Sequence, residues 1–339
     1  MKYLLIGGTG SLGQKLIESL LPDHDVAVYS RDEAKHWTIR NTYGVGSLAA
    51  RAQTSLTFFV GDVRDGQRIR DVLRQYRPTT IIVASALKQV ETCELSPYES
   101  IQTNLLGVHN AIEAVNAESP PNSTVLLVST DKCVSPVNVY GMSKAIAERV
   151  VTSQARTGRS DIKYLAVRYG NVLESRGSIV PLFRYQAEHA PFLTVTCPDM
   201  TRFIMTLGES VALIQQALAS GQSGETWIPH LPAMRIGDLA AIFSARSGKP
   251  IKIVGFRPGE KMHEELINES ESPRMRRSGA HYVLGPAYVP GTGARFRYTS
   301  ETTVLSAAAI EDLLGRLIDL PVANFPGLRI EEIATNRRD

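Results

Sequence analysis

The sequence predicts an α/β protein, a doubly wound parallel sheet followed by a smaller C-terminal lobe, on three observations. The chain opens with a short apolar run that ends at once in the glycines Gly7, Gly10 and Gly13. Short apolar runs then alternate with amphipathic stretches as far as residue 167, the rhythm of repeated strand–helix–strand units and hence of parallel strands. Past residue 170 that rhythm breaks, with prolines at 181, 191, 198, 229, 232 and 258 and clustered basic and aromatic residues, as in a lobe that closes over a substrate. The expected division is 1–170 for the sheet domain, with segments around 205–240 returning to it, and 171–339 mainly for the lobe.

Residues 3–6 form the first expected strand. The glycines after it let backbone amides approach a pyrophosphate at the N-terminus of a helix carrying Leu12, Leu16, Ile17 and Leu20. Gly7, Thr9, Gly10, Ser11, Leu12 and Gly13 are therefore the expected dinucleotide loop. The second strand, 26–29, runs into Ser30-Arg31-Asp32, where an NAD protein usually places an acid for the ribose hydroxyls. A hydroxyl and a guanidinium suit a 2′-phosphate instead, so NADP is the expected cofactor, with Asp32 in the usual acidic role as the alternative.

Residues 33–55 are expected as a helix plus a long loop, and 56–60 as a strand. Asp62 and Val63 follow; Asp62 either faces the adenine or caps the helix holding Ile69, Val72, Leu73 and Tyr76. After a fourth strand, 80–84, the small residues Ala84 and Ala86 allow close packing on a cofactor. Lys88 either meets a phosphate or a substrate hydroxyl, or stays at the surface. Pro97 opens a long helix expected to bury Ile101, Leu105, Val108, Ile112 and Val115, with Asn104 among them as a buried strut or a solvent-facing residue.

The apolar run 125–128 ends in Ser129-Thr130-Asp131-Lys132, at the edge where open α/β sheets bind ligands. Tyr140 and Lys144 lie four apart, so one helical face presents both. A hydroxyl, a carboxyl, a phenol and two amines thus converge on one pocket. A strand at 164–167 leads to Arg168-Tyr169-Gly170-Asn171, and a helix at 209–219 returns to the sheet.

The formal charge of +3 is small and interspersed, which argues against nucleic acid and membrane surfaces as partners. Cys93, Cys133 and Cys197 stand at unrelated spacings, so no metal site and free thiols in a reducing compartment are expected. No apolar run nears the ~20 residues of a membrane span, and the start lacks a signal-peptide core. A soluble, cytoplasmic protein is the expectation.

Taken with the variable C-terminal lobe, the glycine spacing and the Thr130, Tyr140 and Lys144 set resemble the extended short-chain dehydrogenase/reductases of nucleotide sugars. The match is closest to the C5-inverting UDP-N-acetylglucosamine 4,6-dehydratases. Further matching stretches are Tyr29-Ser30-Arg31-Asp32-Glu33, Gly61-Asp62-Val63-Arg64-Asp65, Pro136-x-Asn138-x-Tyr140, Thr201-Arg202-Phe203 and Arg257-Pro258-Gly259-Glu260-Lys261-x-His263-Glu264. Cys133 replaces an expected small alanine, and Tyr140 is kept where many relatives carry methionine.

The resemblance implies C4 oxidation, loss of water across C5 and C6, and return of hydride to C6, so that the cofactor is recycled. In that scheme Tyr140, helped by Lys144, deprotonates the 4-hydroxyl, and Thr130 hydrogen-bonds the sugar oxygen. Asp131 is the acid at C6 and Lys132 the base at C5. Arg176, Arg202, Arg257 and Lys261 are candidates for the substrate diphosphate, with Asn171 and Lys88. Glu260 joins them at the substrate loop and, with His263, braces the lobe. Relatives also imply a homo-oligomer, a dimer or hexamer. A 4-epimerase, or a GDP-sugar or exo-alkene-forming dehydratase, would share many of these motifs. A non-catalytic NADPH-binding regulator would lose Tyr140 or Lys144, and both are present.

Overall fold

The computed structural model describes residues 1–173 and 175–317. Among them, nine strands form one sheet: β1 (Lys2–Ile6), β2 (Asp25–Ser30), β3 (Leu56–Val60), β4 (Thr80–Val83), β5 (Thr124–Val128), β6 (Lys163–Val167), β7 (Thr226–Pro229), β8 (Met275–Ser278) and β9 (His281–Leu284). Their order is β8-β9-β7-β6-β5-β4-β1-β2-β3. The seven strands from β7 to β3 are parallel, and β8 and β9 add an antiparallel hairpin at one edge.

The strand order reverses between β1 and β4, the place where open α/β sheets leave a crevice at the strands' carboxyl ends. The strands are apolar on both faces because helices cover both. Leu5, Val28 and Leu126 point to one layer with Leu16 and Ile17, and Leu4, Ala27 and Val125 point to the other with Val72, Ile112 and Ala147. A third core, built on Phe183, Leu239 and Ile310, belongs to the lobe. The lobe's three-stranded sheet centres on Thr201–Met205, flanked by Asn171–Val172 and Ala233–Arg235.

Three expectations are corrected. The loop expected within 33–55 is mostly helical: a helix at Glu33–Tyr43 is followed by another at Ala49–Ser55, whose Ala52 packs on the core with Leu48. The helix opened by Pro97 is not continuous. A wider π-turn, Gln102–Leu106, precedes the regular helix Gly107–Glu118, and the changed phase turns Ile101 outward to 38% exposure. The hairpin β8–β9 falls in the range read as lobe, yet it extends the main sheet. The helix Leu207–Ser220, started by a Thr206–Glu209 capping box, packs against the helix Ser11–Leu20. No helix of the described residues is long and apolar enough to cross a membrane, and none of their His, Cys, Asp and Glu side chains cluster as a metal site.

Candidate active site

A cleft of about 860 Å³ runs along the carboxyl ends of β1, β2, β4 and β5 and is closed on its far side by the lobe. Its first half is built by the glycine loop. Gly7 has φ +87, and a Cβ there would lie 2.5 Å from the backbone nitrogen of Ser85. A Cβ on Gly13 would lie 2.2 Å from the Gly8 carbonyl oxygen, so these two glycines let β1, its helix and the β4 loop close up. Gly10 differs, since a Cβ on it would meet nothing nearer than 3.7 Å: its missing side chain leaves room on the cleft side.

Thr9, Ser11, Leu12, Val63, Ala84 and Ala86 line this half. At the end of β2, Ser30 shares a 2.8 Å hydrogen bond with His36, and Arg31 lies 3.5 Å from Asp62. Asp32 caps its helix by accepting from the Lys35 backbone N–H, while Lys35 itself lines the cleft beside Arg31. Asp62 does not cap the following helix; Asp65 does. The Asp62 carboxylate instead accepts from the Arg64 backbone N–H and guanidinium, at 2.8–3.1 Å.

The second half is built by the end of β5 and the helix Val139–Thr157. Asn138 starts that helix by accepting from the Gly141 N–H at 2.7 Å. A Cβ on Gly141 would be 2.1 Å from the Lys132 carbonyl, so the glycine lets the helix sit directly on the strand end. Tyr140 and Lys144 consequently face the cleft together with Thr130 and Lys132. The buried Lys144 ammonium donates to the Val128 carbonyl at 2.6 Å, and burial pulls its pKa down to about 8. Burial pushes the Tyr140 phenol up to about 12, against the opposing pull of Lys132 and the Thr130 hydroxyl. Among the protein's own groups, Lys132 is the cation that opposes burial at the phenol, and burial outweighs it.

Lys132 sits between two carboxylates. Its Nζ is 3.1 Å from Asp131 Oδ1 and 3.2 Å from Glu264 Oε1. Asp131 is fully buried, accepts also from the Thr130 hydroxyl at 3.0 Å, and lies behind the cleft wall formed by its two neighbours. Burial, with Glu264 beside it, raises its carboxyl above the usual range. Burial opposes the charges of Lys132 and Glu264 too, but opposite charges outweigh it: the ammonium is held well above its ordinary value and the Glu264 carboxyl below its own. Asp131 Oδ2 and Glu264 Oε2 are buried with no hydrogen-bond partner among the described residues.

The cations assigned to the substrate are dispersed. Arg202, Arg257 and Asn171 line the cleft, and the Asn171 Oδ1 is buried with no hydrogen-bond partner among the described residues. Arg202 is braced by the carbonyls of Thr201 and Met262 at 2.8 and 3.1 Å. Lys88 reaches Ser175 at 3.3 Å, and burial with Arg176 nearby lowers its ammonium pKa. Two placements depart from expectation. Arg176 reaches across to the glycine loop, its guanidinium donating to the Thr9 carbonyl at 3.4 Å and its backbone N–H to Ser11 at 3.2 Å. Lys261 donates to the Val134 carbonyl at 2.6 Å, so it holds the chain instead of facing the cleft. Glu260 lines the cleft but accepts from the Arg257 N–H at 3.0 Å, a brace within its own turn.

The lobe segment 257–265 grips the connection between β5 and the Tyr140 helix. Besides Lys261, Asn138 donates to the Gly259 carbonyl at 2.7 Å, and Ser135, held at φ +42, donates to Glu265 at 2.9 Å. Glu264 is the site residue that sequence reasoning missed. It was visible only as the end of the Arg257–Glu264 motif, and nothing local announced that it meets Lys132.

The open side of Gly10 and the orphaned Ser85 hydroxyl along the same cleft fit a nicotinamide dinucleotide. Fold and cleft together define a Rossmann-type protein of the extended short-chain dehydrogenase/reductase class. Within it, the chain belongs to the polysaccharide biosynthesis protein family, whose model matches residues 3–285. The UDP-glucose 4-epimerase of Rickettsia typhi is 36% identical over 292 residues, covering 83% of this chain and 82% of that protein. The X-ray structure of Pen from Bacillus thuringiensis superimposes with a TM-score of 0.86 at 28% identity, covering 94% of this chain and 98% of that one. The dTDP-glucose 4,6-dehydratase DesIV of Streptomyces venezuelae, solved with NAD and TYD bound, gives 0.65 at 22% identity over 77% of this chain and 87% of its own, a likeness of fold.

Proposed function

We propose that this protein is a UDP-N-acetylglucosamine 4,6-dehydratase that inverts C5, using NADP. The observation that carries the reading is the Asp131–Lys132–Glu264 cluster beside Tyr140. Oxidising and reducing one carbon, as in epimerisation at C4, needs only the Tyr140 end of the cleft. Removing water from C5 and C6 needs an acid and a base one and two carbons further on, and the cluster supplies both kinds of group there.

The glycine loop, Ser30, Arg31, Tyr140 and Lys144 would hold the dinucleotide, which supplies the reversible oxidant for C4. Tyr140 takes the proton of the 4-hydroxyl, and Thr130 donates to the sugar oxygen. With its phenol pushed up by burial, Tyr140 needs added positive charge to ionise, and Lys132 already contributes some. A ketone at C4 makes the C5 proton acidic, and Lys132 is the base that removes it. Asp131, its carboxyl raised above the usual range by burial, is the acid for the departing C6 hydroxyl, acting from behind the wall through the Thr130 hydroxyl that links it to the cleft. Asn171, Arg202 and Arg257, which line the cleft, would take the substrate diphosphate, and Arg31 with Lys35 a ribose 2′-phosphate.

The reading is tested by incubating the protein with UDP-N-acetylglucosamine and NADP in deuterated solvent and following mass and proton NMR. Loss of one water with deuterium at C5 supports it. A product of unchanged mass supports the 4-epimerase reading, which the Rickettsia relative's name favours, and an untouched sugar defeats UDP-N-acetylglucosamine as the substrate.

A further inference from the structure

Asp131 and Lys132 present a difficulty as an acid–base pair. Left alone, an adjacent carboxyl and amine settle as carboxylate and ammonium, the two forms in which neither can act. A third group must take over as the ammonium's counter-ion if the carboxyl is to keep its proton. Resting on the dehydratase reading above, we propose that Glu264 is that group: a positioning residue, delivered by the lobe, that holds the charge of Lys132 so that Asp131 remains an acid.

The geometry is specific to this role. Glu264 and Asp131 approach the same ammonium from different elements at 3.2 and 3.1 Å, and each keeps one oxygen buried without a hydrogen-bond partner. Glu264 is 3% exposed and lines the cleft, whereas Asp131 lies wholly within the wall. The other charges facing Glu264 are both positive: Arg202 from the lobe strand at 4.0 Å and Lys261 from its own segment at 3.9 Å. Asp131 has Lys132 as its only cation contact in hydrogen-bond range among the described residues, and shares it. Of the two carboxyls, Glu264 is therefore the better place for the negative charge.

The proton count closes within the cluster. At rest it holds an ammonium on Lys132, a carboxylate on Glu264 and a carboxylic acid on Asp131. To act as a base the ammonium passes a proton to Glu264 across their direct contact, against the resting preference of both groups, breaking N–H and forming O–H, which leaves a neutral amine and two acids as a short-lived state. The amine takes the C5 proton as the C5–C6 double bond forms, and the C6–O bond breaks as the Thr130 hydroxyl gives its proton to the leaving oxygen and takes the proton of Asp131 in its place. Water departs, and the cluster ends as ammonium, Asp131 carboxylate and Glu264 acid. Passing one proton from Glu264 through Lys132 to Asp131 restores the start. Net charge stays at zero throughout.

The test is the pH profile of sugar dehydration by the wild-type protein, Glu264→Gln and Glu264→Asp, once wild type has been shown to release water; no release at all defeats the dehydratase reading rather than this one. Without Glu264, Asp131 becomes the counter-ion and ionises more readily. Turnover of Glu264→Gln near neutral pH is expected to fall about 100-fold, and the limb on which activity is lost as pH rises should move to lower pH by a unit or more. Glu264→Asp, which keeps the charge, should hold that limb near its wild-type position. A Gln variant that is slower by the same factor at every pH would overturn the proposal. Should the Gln variant be inactive throughout, Glu264→Asp decides: an unmoved limb with at least a tenth of wild-type turnover supports the role, and an Asp variant equally inactive overturns it.

Discussion

Two buried clusters in this protein share a plan, a central cation between two carboxyl groups, and differ in their state of completion. Arg168, at the end of β6, is 2% exposed and donates to both oxygens of Glu148 and both of Glu271, with a fifth bond to the Leu266 carbonyl. The Cys133 thiol also donates to Glu148, at 3.3 Å. Lys132, a few residues from the end of β5, has one contact to each of its carboxylates and leaves an oxygen of each orphaned. The guanidinium's forked donors match two carboxylates at once, whereas the ammonium is a point charge that can change partners. The closed cluster fixes the lobe to the sheet domain. The open one retains unsatisfied capacity beside the cleft, which is where a substrate can make use of it.

The comparison can be broken by making the same amide substitution in each. Asp131→Asn should lower turnover by about 10²–10⁴-fold, the usual contribution of a positioned acid, while urea unfolding shifts little because Lys132 and Glu264 remain paired. Glu148→Gln should do the reverse. Taking one carboxylate from the closed cluster is expected to cost about 3–5 kcal/mol of unfolding free energy, with activity lost only as the fold is lost. Similar stability losses in the two variants would erase the distinction.

A third measurement sharpens it through pH. Lys144 is buried with its pKa pulled down to about 8, so between that value and its unfolded pKa the unfolded chain binds the extra proton. Stability is therefore penalised below pH 8 and the penalty is relieved as pH rises toward 10.5. Lys144→Met should remove a penalty on the order of 3 kcal/mol, so the difference in unfolding free energy between variant and parent shrinks across that window. A difference that is flat with pH would show that Lys144 is not the buried titrating group. The smallest effect concerns the cofactor end, where Arg31 is largely exposed: Arg31→Ala should weaken NADP binding about tenfold and leave NAD nearly unchanged, as read by fluorescence titration.

Much of this arrangement was legible because it is local. Gly7, Gly10 and Gly13 sit in one turn, Tyr140 and Lys144 on one helical face, and Thr130 to Lys132 at one strand end, each within reach of sequence periodicity. The π-turn at Gln102–Leu106 defeated the same method, since one irregular turn shifts the phase of everything before it and left Ile101 on the wrong face. Asn104 shows why the turn is there. It is fully buried, bonded to both backbone groups of Leu87 and to Ser100 and Ser143, so it ties the β4 loop to the Tyr140 helix. Glu264, Glu271 and the true partner of Lys261 were not legible. Each meets residues more than a hundred positions earlier, and contacts of that range leave no spacing to read.

The grip of residues 257–265 on the Val134–Asn138 connection also sets when the catalytic apparatus comes into being. A nascent chain can assemble the parallel strands as they emerge, N-terminal part first. Yet the clasps on Val134, Ser135 and Asn138 span 121 to 130 residues, so the cleft is completed only after residues 257–265 have been synthesised. Until then the nascent protein has its first six parallel strands and β7 but not the clasp that closes the cleft.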